Sequence, residues 1–213
     1  MSGPHDDQPV VSDGVALSEA DAACILVHGR GATARSILGM AHEFNRQGVA
    51  YLAPQAAQNT WYPHSFLAPV TANEPGRSSG LSKLESIIGR TTDAGIARER
   101  ILIGGFSQGA CLATEFVART PTRYGGLFAL SGGLIGESIT PEEYTGDLDG
   151  TPAFLGCSDR DPHIPEQRVH VTADVLEQLG ATVDTRIYPN MPHTVNQDEL
   201  TAVGELLDSV LDS

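Results

Sequence analysis

One serine stands where a chain typically exposes a nucleophile. Ser107 lies in the run Gly105-Phe106-Ser107-Gln108-Gly109, which follows an apolar, β-branched stretch and precedes a helix-forming stretch. The two glycines allow the backbone to double back between a strand and a helix. The pattern predicts a nucleophile elbow that exposes the hydroxyl of Ser107. By itself the pattern is weak, since an ordinary turn containing glycine and serine has the same residues.

A serine hydroxyl needs a base to accept its proton and a carboxylate to orient that base. His193 follows a predicted strand at 182–188 and is the expected base. Asp161 follows a predicted strand at 152–155 and is the expected carboxylate, although an Asp-Pro turn also fits it. The chain order Ser107, Asp161, His193 is that of the α/β-hydrolases, and it differs from the order in other common serine hydrolases.

A tetrahedral intermediate also needs N–H donors for its oxyanion. The backbone N–H of Gln108, directly after the nucleophile, is one expected donor. The second is expected from the loop His28-Gly29-Arg30-Gly31, whose glycines would expose the N–H of Arg30. The side chain of Arg30 either contacts an anionic substrate or forms a surface ion pair. We expect no catalytic role for six histidines: His28 and His163 hold loops, and His5, His42, His64 and His170 are solvated or lie on surface helices.

Apolar patterns alternate between strand and helix along the whole chain. Strands are predicted near 10–16, 22–28, 49–53, 100–106, 126–130, 152–155 and 182–188, and helices near 33–47, 81–95, 108–119, 165–179 and after an Asn196 cap. The irregular stretch from 54 to about 80 has the length of a functional loop. The alternation predicts a mostly parallel sheet with helices on both faces and ligands at the carboxyl ends of the strands.

Composition limits the remaining possibilities. The 213 residues suit one domain at 1–213, in which residues 1–9 are expected to be disordered or loosely packed. A net charge of −14 argues against nucleic acid and anionic membranes as partners. The start of the chain carries no secretion-signal pattern, no apolar run is long enough to cross a bilayer, and the three cysteines are not closely spaced. We expect a cytoplasmic protein without a metal site, either from a salt-rich cytoplasm or simply acidic.

The motifs together resemble the phospholipase/carboxylesterase family of α/β-hydrolases, from about residue 23 to 211. The resemblance is carried by His28-Gly29-Arg30-Gly31, the 53–63 loop, 105–109, Leu130-Ser131-Gly132, 161–165 and Pro192-His193. It implies a minimal α/β-hydrolase fold without a separate lid domain and an esterase that needs no cofactor. It assigns Ser107, Asp161 and His193 to the catalytic triad, and Arg30 and Gln108 to the oxyanion hole. It also implies that Trp61 and Tyr62 lie on the acyl side, where they form a substrate wall or anchor the loop.

One departure from the family pattern concerns the aspartate. Counting forward from Gly156 reaches Asp159, whereas counting back from Ile164-Pro165 reaches Asp161. Because Pro165 fixes the exit of the loop into the next helix, Asp161 is preferred.

The sequence therefore predicts a serine hydrolase of small-molecule carboxylic esters, with thioesters as a further substrate class and a monomer or homodimer as the assembly. A peptidase, a lactone hydrolase and a non-catalytic binding module of the same fold remain alternatives.

Overall fold

The computed structural model describes residues 3–212, in which seven strands and five α-helices alternate over most of the chain. The strands are β1 (Val10–Gly14), β2 (Ala22–Val27), β3 (Val49–Pro54), β4 (Ile101–Phe106), β5 (Gly126–Leu130), β6 (Pro152–Ser158) and β7 (Thr182–Tyr188). The helices are α1 (Ala34–Ala41), α2 (Gly76–Asp93), α3 (Gln108–Arg119), α4 (Glu166–Gln178) and α5 (Gln197–Leu211). Their order confirms the predicted alternation.

The strands form one sheet in the order β1-β3-β2-β4-β5-β6-β7. The β1 strand runs antiparallel to β3, and the other neighbouring pairs are parallel. Parallel neighbours bring their carboxyl ends to the same edge, so the segments that follow β4, β6 and β7 meet there. These are the segments that carry Ser107, Asp161 and His193.

Helices cover both faces of the sheet because the strands bury alternate residues on each side. Ile25 and Ile103 belong to the core that includes buried residues of α2, α3 and α4. Leu26 and Leu102 belong to the opposite core, which includes buried residues of α1 and α5. The predicted mostly parallel sheet with two covered faces is confirmed.

Two elements are longer than their apolar patterns predict. Helix α2 begins at Gly76 rather than near 81, because its first turns hold small residues that pack closely instead of an apolar stripe. A Cβ on Gly80 would press against Leu112 and the indole of Trp61. Strand β6 continues to Ser158, past the predicted end at 155, because it stays paired with β7 up to Tyr188.

The expectation of a loosely packed segment at 1–9 is wrong for the described residues 3–9, and Met1 and Ser2 lie outside the described residues. His5 is 2% exposed, its N–H donates to Ser79 Oγ at 2.9 Å, and its Nε2 donates to the Trp61 carbonyl at 2.8 Å. The ammonium group of Lys83 donates to the carbonyl oxygens of Asp6 and Gln8. The solvated role expected for His5 is therefore also wrong, since its backbone N–H bonds α2 and its imidazole bonds the loop at Trp61.

No helix within residues 3–212 is long and apolar enough to span a bilayer. The same residues contain no separate lid domain, because every α-helix packs on the central sheet.

Candidate active site

Ser107 occupies the sharp turn between β4 and α3. Its backbone has φ 56° and ψ −121°, a left-handed conformation that costs a non-glycine residue free energy. The Ser107 N–H donates to the Leu130 carbonyl at 2.9 Å, which ties the turn to the end of β5. A Cβ on Gly105 or on Gly109 would collide with the carbonyl oxygen of Val27. The two glycines therefore allow β2 to pass close to the turn, as the sequence predicts.

The three residues of the predicted triad form one hydrogen-bonded chain. His193 Nε2 lies 2.9 Å from Ser107 Oγ, and His193 Nδ1 lies 2.6 Å from Asp161 Oδ2. The Asp161 side chain is fully buried and the His193 side chain is 18% exposed. With Nδ1 donating to the carboxylate, Nε2 is left to accept the proton of the serine hydroxyl. This arrangement can carry out general-base-assisted nucleophilic attack.

Asp161 is held in place by its own loop. Its Oδ1 accepts the N–H groups of His163 at 2.8 Å and Ile164 at 3.0 Å. Burial on its own would raise the pKa of Asp161, but the hydrogen bonds from His193, His163 and Ile164 outweigh burial and lower it. The carboxylate is therefore ionised at neutral pH, as the orienting member of a triad must be.

Asp159 lies outside this chain of hydrogen bonds. It is exposed, its Oδ1 accepts the N–H of Asn190 at 2.7 Å, and its N–H donates to the Tyr188 carbonyl. Asp159 thus connects the β6 loop to the segment between β7 and His193. It supports the position of the His193 loop without contacting the imidazole.

The two expected oxyanion donors lie at the cleft that holds Ser107. Within residues 3–212, the backbone N–H groups of Arg30 and Gln108 donate to no other group. For Gln108 this follows from its place at the start of α3, where the first N–H groups of a helix lack partners. Free N–H groups at the cleft of a nucleophile can stabilise a developing negative charge.

The side chains of these two residues fix the loop around Trp61 and Tyr62. Gln108 Oε1 accepts the Trp61 N–H at 2.9 Å, and Gln108 Nε2 donates to the Tyr62 carbonyl at 2.8 Å. Arg30 donates through its guanidinium to the carbonyls of Pro63 at 2.9 Å and His64 at 2.6 Å. The ion pair considered for Arg30 is not formed with any of residues 3–212.

Trp61 is not brought to the cleft, so the expectation that it contacts substrate is not met. Its side chain is fully buried, it donates from Nε1 to the His28 carbonyl at 2.9 Å, and it contacts the rings of His5 and His28. Trp61 therefore anchors the loop, which was the other role considered for it. Tyr62 does line the cleft, while remaining almost completely buried.

His28 holds its loop, as expected. Its Nδ1 donates to the Gly29 carbonyl at 2.8 Å, and its Nε2 accepts the N–H of Ala56 at 3.1 Å. Burial lowers the pKa of His28, which keeps the imidazole neutral and able to accept at Nε2.

The cleft around Ser107 has a volume of about 460 Å³ and is mixed in chemistry. Its apolar surface includes Phe66, Phe106 and Ile164. Two rings pack directly on the imidazole of His193: Phe106 with centroids 4.8 Å apart, and His163 edge-on at 4.9 Å. Sequence reasoning missed both contacts. Phe106 and His163 stand inside quoted motifs, but a motif does not show which rings will meet.

Glu199 supports the His193 loop from the other side. It is fully buried at the start of α5, where its Oε2 accepts the Asn196 N–H at 2.8 Å while its N–H donates to Asn196 Oδ1 at 2.9 Å. This reciprocal capping box forms the Asn196 cap that the sequence predicts, since Glu199 stands three residues after Asn196. The other oxygen, Oε1, is buried without a partner in residues 3–212. Burial raises the pKa of Glu199 to about 7.

No group of three or more His, Cys, Asp or Glu side chains within residues 3–212 is placed to hold a metal ion. The cysteines Cys24, Cys111 and Cys157 are free and buried.

Comparison with known proteins gives a consistent result. The sequence profile of the phospholipase/carboxylesterase family matches residues 10–211. A crystal structure of a phospholipase/carboxylesterase from Dyadobacter fermentans aligns with TM-score 0.91 and 38% identity, over 94% of this chain and 96% of that chain. An acyl-protein thioesterase 1 from Yarrowia lipolytica is 29% identical over 202 residues, which cover 85% of this chain and 88% of the relative. A Bacillus cereus carboxylesterase, at 16% identity and TM-score 0.76 over 96% of this chain and 95% of that chain, shares the fold.

The two aspartates predict different mutational effects. Asp161→Asn removes the acceptor for the Nδ1–H of His193 and favours the wrong tautomer, so kcat should fall by about 10⁴ with little change in KM. Asp159→Asn removes a loop hydrogen bond to Asn190 and should lower kcat by less than about tenfold. Steady-state kinetics of both variants with one ester measure the effects, and melting curves exclude unfolding. An active Asp161→Asn beside a crippled Asp159→Asn would move the carboxylate assignment by two residues.

The raised pKa of Glu199 predicts a pH-dependent cost to stability. Because the folded-state pKa of about 7 exceeds the usual value of 4.5, the stability that neutral Glu199 contributes is lost as pH rises toward and through 7. Glu199→Gln stays neutral, so only the wild type loses this stability as pH rises. The free energy of unfolding of the variant, relative to that of the wild type, should therefore increase by about 2 kcal/mol from pH 5 to pH 8. Urea unfolding at both pH values measures this difference. The matched Glu205→Gln, at an exposed site on the same helix, should show no such gain, and an equal gain there would refute the assignment to Glu199.

Proposed function

The chain belongs to the phospholipase/carboxylesterase family, and on this premise we propose that it is a serine hydrolase of carboxylic esters and thioesters that acts through an acyl-enzyme on Ser107. The observation that carries the proposal is the continuous hydrogen-bonded chain from Ser107 Oγ through His193 to Asp161 Oδ2. It is supported by two free backbone N–H groups at the same cleft, those of Arg30 and Gln108.

The first half of the proposed reaction forms the acyl-enzyme. Ser107 Oγ attacks the carbonyl carbon while His193 Nε2 takes the hydroxyl proton, and Asp161 stabilises the resulting imidazolium. The carbonyl oxygen becomes an oxyanion that accepts the N–H groups of Arg30 and Gln108. Collapse of this intermediate breaks the bond to the leaving group, and His193 donates its proton to the departing alcohol or thiol. The acyl group remains on Ser107.

The second half repeats the chemistry with water. His193 removes a proton from a water molecule, the hydroxide attacks the acyl carbonyl, and the same two N–H groups stabilise the second oxyanion. His193 then returns the proton to Ser107 Oγ and the carboxylic acid leaves. The chain's own residues supply every proton transfer in this scheme.

The substrate class follows from the relatives and the cleft. Both the phospholipase/carboxylesterase and acyl-protein thioesterase names among the relatives describe hydrolysis at an acyl carbonyl. The cleft combines the predicted nucleophile with apolar side chains of Phe66, Phe106 and Ile164, which suit the hydrocarbon part of an acyl ester. A volume of about 460 Å³ fits a small molecule.

Loss of the nucleophile or the base should abolish turnover. Ser107→Ala and His193→Ala should each reduce kcat for 4-nitrophenyl esters by at least about 10⁴, because the two groups act as one unit. The measurement is initial-rate kinetics on a panel of 4-nitrophenyl esters and acyl thioesters of graded chain length. Ser65→Ala, which alters another serine of the cleft, serves as the control for a general effect on the cleft. A wild-type protein that is folded and cleaves none of the panel would contradict the proposed function and favour a binding module.

We further propose that the protein works in a reducing, salt-rich cytoplasm. The free, buried cysteines suit a reducing compartment. The net charge of −14 makes the folded chain repel itself, and salt relieves this because the Debye length falls from about 10 Å at 0.1 M to about 3 Å at 1 M. The melting temperature should therefore rise between 0.1 and 3 M KCl. Thermal melts across this range that stay flat or fall would contradict the salt-rich origin.

A further inference from the structure

Among the described residues, no carboxylate lines the cleft, although the protein is strongly acidic. The chain has a net charge of −14, yet none of the cleft-lining residues within 3–212 is Asp or Glu. The arginine and histidine side chains that line the cleft are those of Arg30, His64, His163 and His193. Asp161 lies behind His193 with its side chain fully buried, so it does not present its charge to the cleft.

The charge of Arg30 is fixed in place and is not neutralised. Two donors of its guanidinium bind the carbonyls of Pro63 and His64, which hold the side chain against the loop. It forms no ion pair with a carboxylate of residues 3–212, unlike Arg46, which pairs with Asp208. A guanidinium keeps its full charge at all relevant pH values, and its remaining N–H groups are directed donors for a carboxylate or phosphate.

The residues next to Arg30 add further hydrogen-bond donors to the cleft. His64 is exposed, and its N–H binds Asn73 Oδ1 at 2.9 Å, which fixes its backbone beside Arg30. The imidazole rings of His64 and His163 make no hydrogen bond within residues 3–212, so both can donate to a ligand. Arg30 also supplies the proposed oxyanion N–H, and its guanidinium binds the carbonyls of Pro63 and His64, two further residues that line the same cleft. A negative group on the substrate would meet this side chain without displacing an existing ion pair.

From these contacts we propose that the enzyme prefers esters or thioesters that carry a carboxylate or phosphate near the scissile carbonyl, and that Arg30 together with His64 recognises this anion. This inference rests on the proposed hydrolase function and adds the charge class of its substrate. The anion has two possible sources, the acyl group and the leaving group. Both use the same chemistry of recognition, and they are separated by the choice of substrates.

The test uses matched thioesters at low salt. For the acyl side, the pair is pentanoyl-pantetheine and glutaryl-pantetheine, which differ by a terminal carboxylate. For the leaving group, the pair is the pentanoyl thioesters of propanethiol and of 3-mercaptopropanoate, which differ by a terminal carboxylate close to the scissile carbonyl. The wild type should show a kcat/KM at least about fivefold higher for the anionic member of one pair. The preference should shrink as KCl rises, because the anion and Arg30 are both open to solvent.

Two variants separate local recognition from net charge. In Arg30→Gln the ratio of anionic to neutral kcat/KM should fall to about one, whatever happens to the absolute rates. Arg35→Gln removes the same charge from an exposed position on α1 that does not line the cleft, and should leave the ratio at its wild-type value. If Arg30→Gln does not fold, His64→Gln, which removes the second recognition group from the cleft, should lower the ratio in the same direction.

Each other outcome counts against the inference. If the wild type cleaves the neutral thioester and shows no preference in either pair, anion recognition is refuted while the hydrolase function stands. If Arg30→Gln lowers both rates equally, the guanidinium only pins the loop, and recognition is again refuted. If the wild type cleaves none of the thioesters or simple esters, the proposed function itself fails, which this design distinguishes.

Discussion

The turn at Ser107 is the constraint on which the active-site geometry depends. A serine with φ 56° persists only where its surroundings hold it there, and here β2 and β5 do so from two sides. The carbonyl of Val27 leaves no room for a side chain at position 105 or 109. The same turn exposes the serine hydroxyl at the carboxyl end of β4, and α3 begins at the next residue. The N–H of Gln108 is left free by the same geometry.

The partners of Ser107 are fixed by short, redundant hydrogen bonds rather than by the sheet alone. Asp161 accepts two N–H groups of its own loop at Oδ1, in addition to its contact with His193 at Oδ2. The loop that carries His193 is tied at its start by Asp159 and at its end by Glu199. Because these hydrogen bonds are redundant, they hold the carboxylate and the imidazole in one arrangement. This preorganisation is what electrostatic catalysis requires.

Sequence patterns predict the strands and helices of this structure well and its side-chain contacts between distant parts of the chain poorly. The β4 strand, α3 and the α5 cap were predictable because apolar runs, glycines and the spacing from Asn196 to Glu199 are local signals. The burial of His5 was not, since it depends on Ser79 and Trp61, which are far away in sequence. The order of the proposed triad is visible in the chain. The choice of Asp161 over Asp159 gains its physical support only from the contact with His193 Nδ1.

The most direct test of the proposed mechanism is a crystal structure of the protein after reaction with a small 4-nitrophenyl alkylphosphonate, which mimics the tetrahedral intermediate. The mechanism predicts phosphorus bonded to Ser107 Oγ, with its free oxygen about 2.7–3.1 Å from the backbone nitrogens of both Arg30 and Gln108. It also predicts that His193 stays hydrogen-bonded to Asp161. An adduct on another residue, or one whose oxygen points to solvent away from both N–H groups, would contradict it.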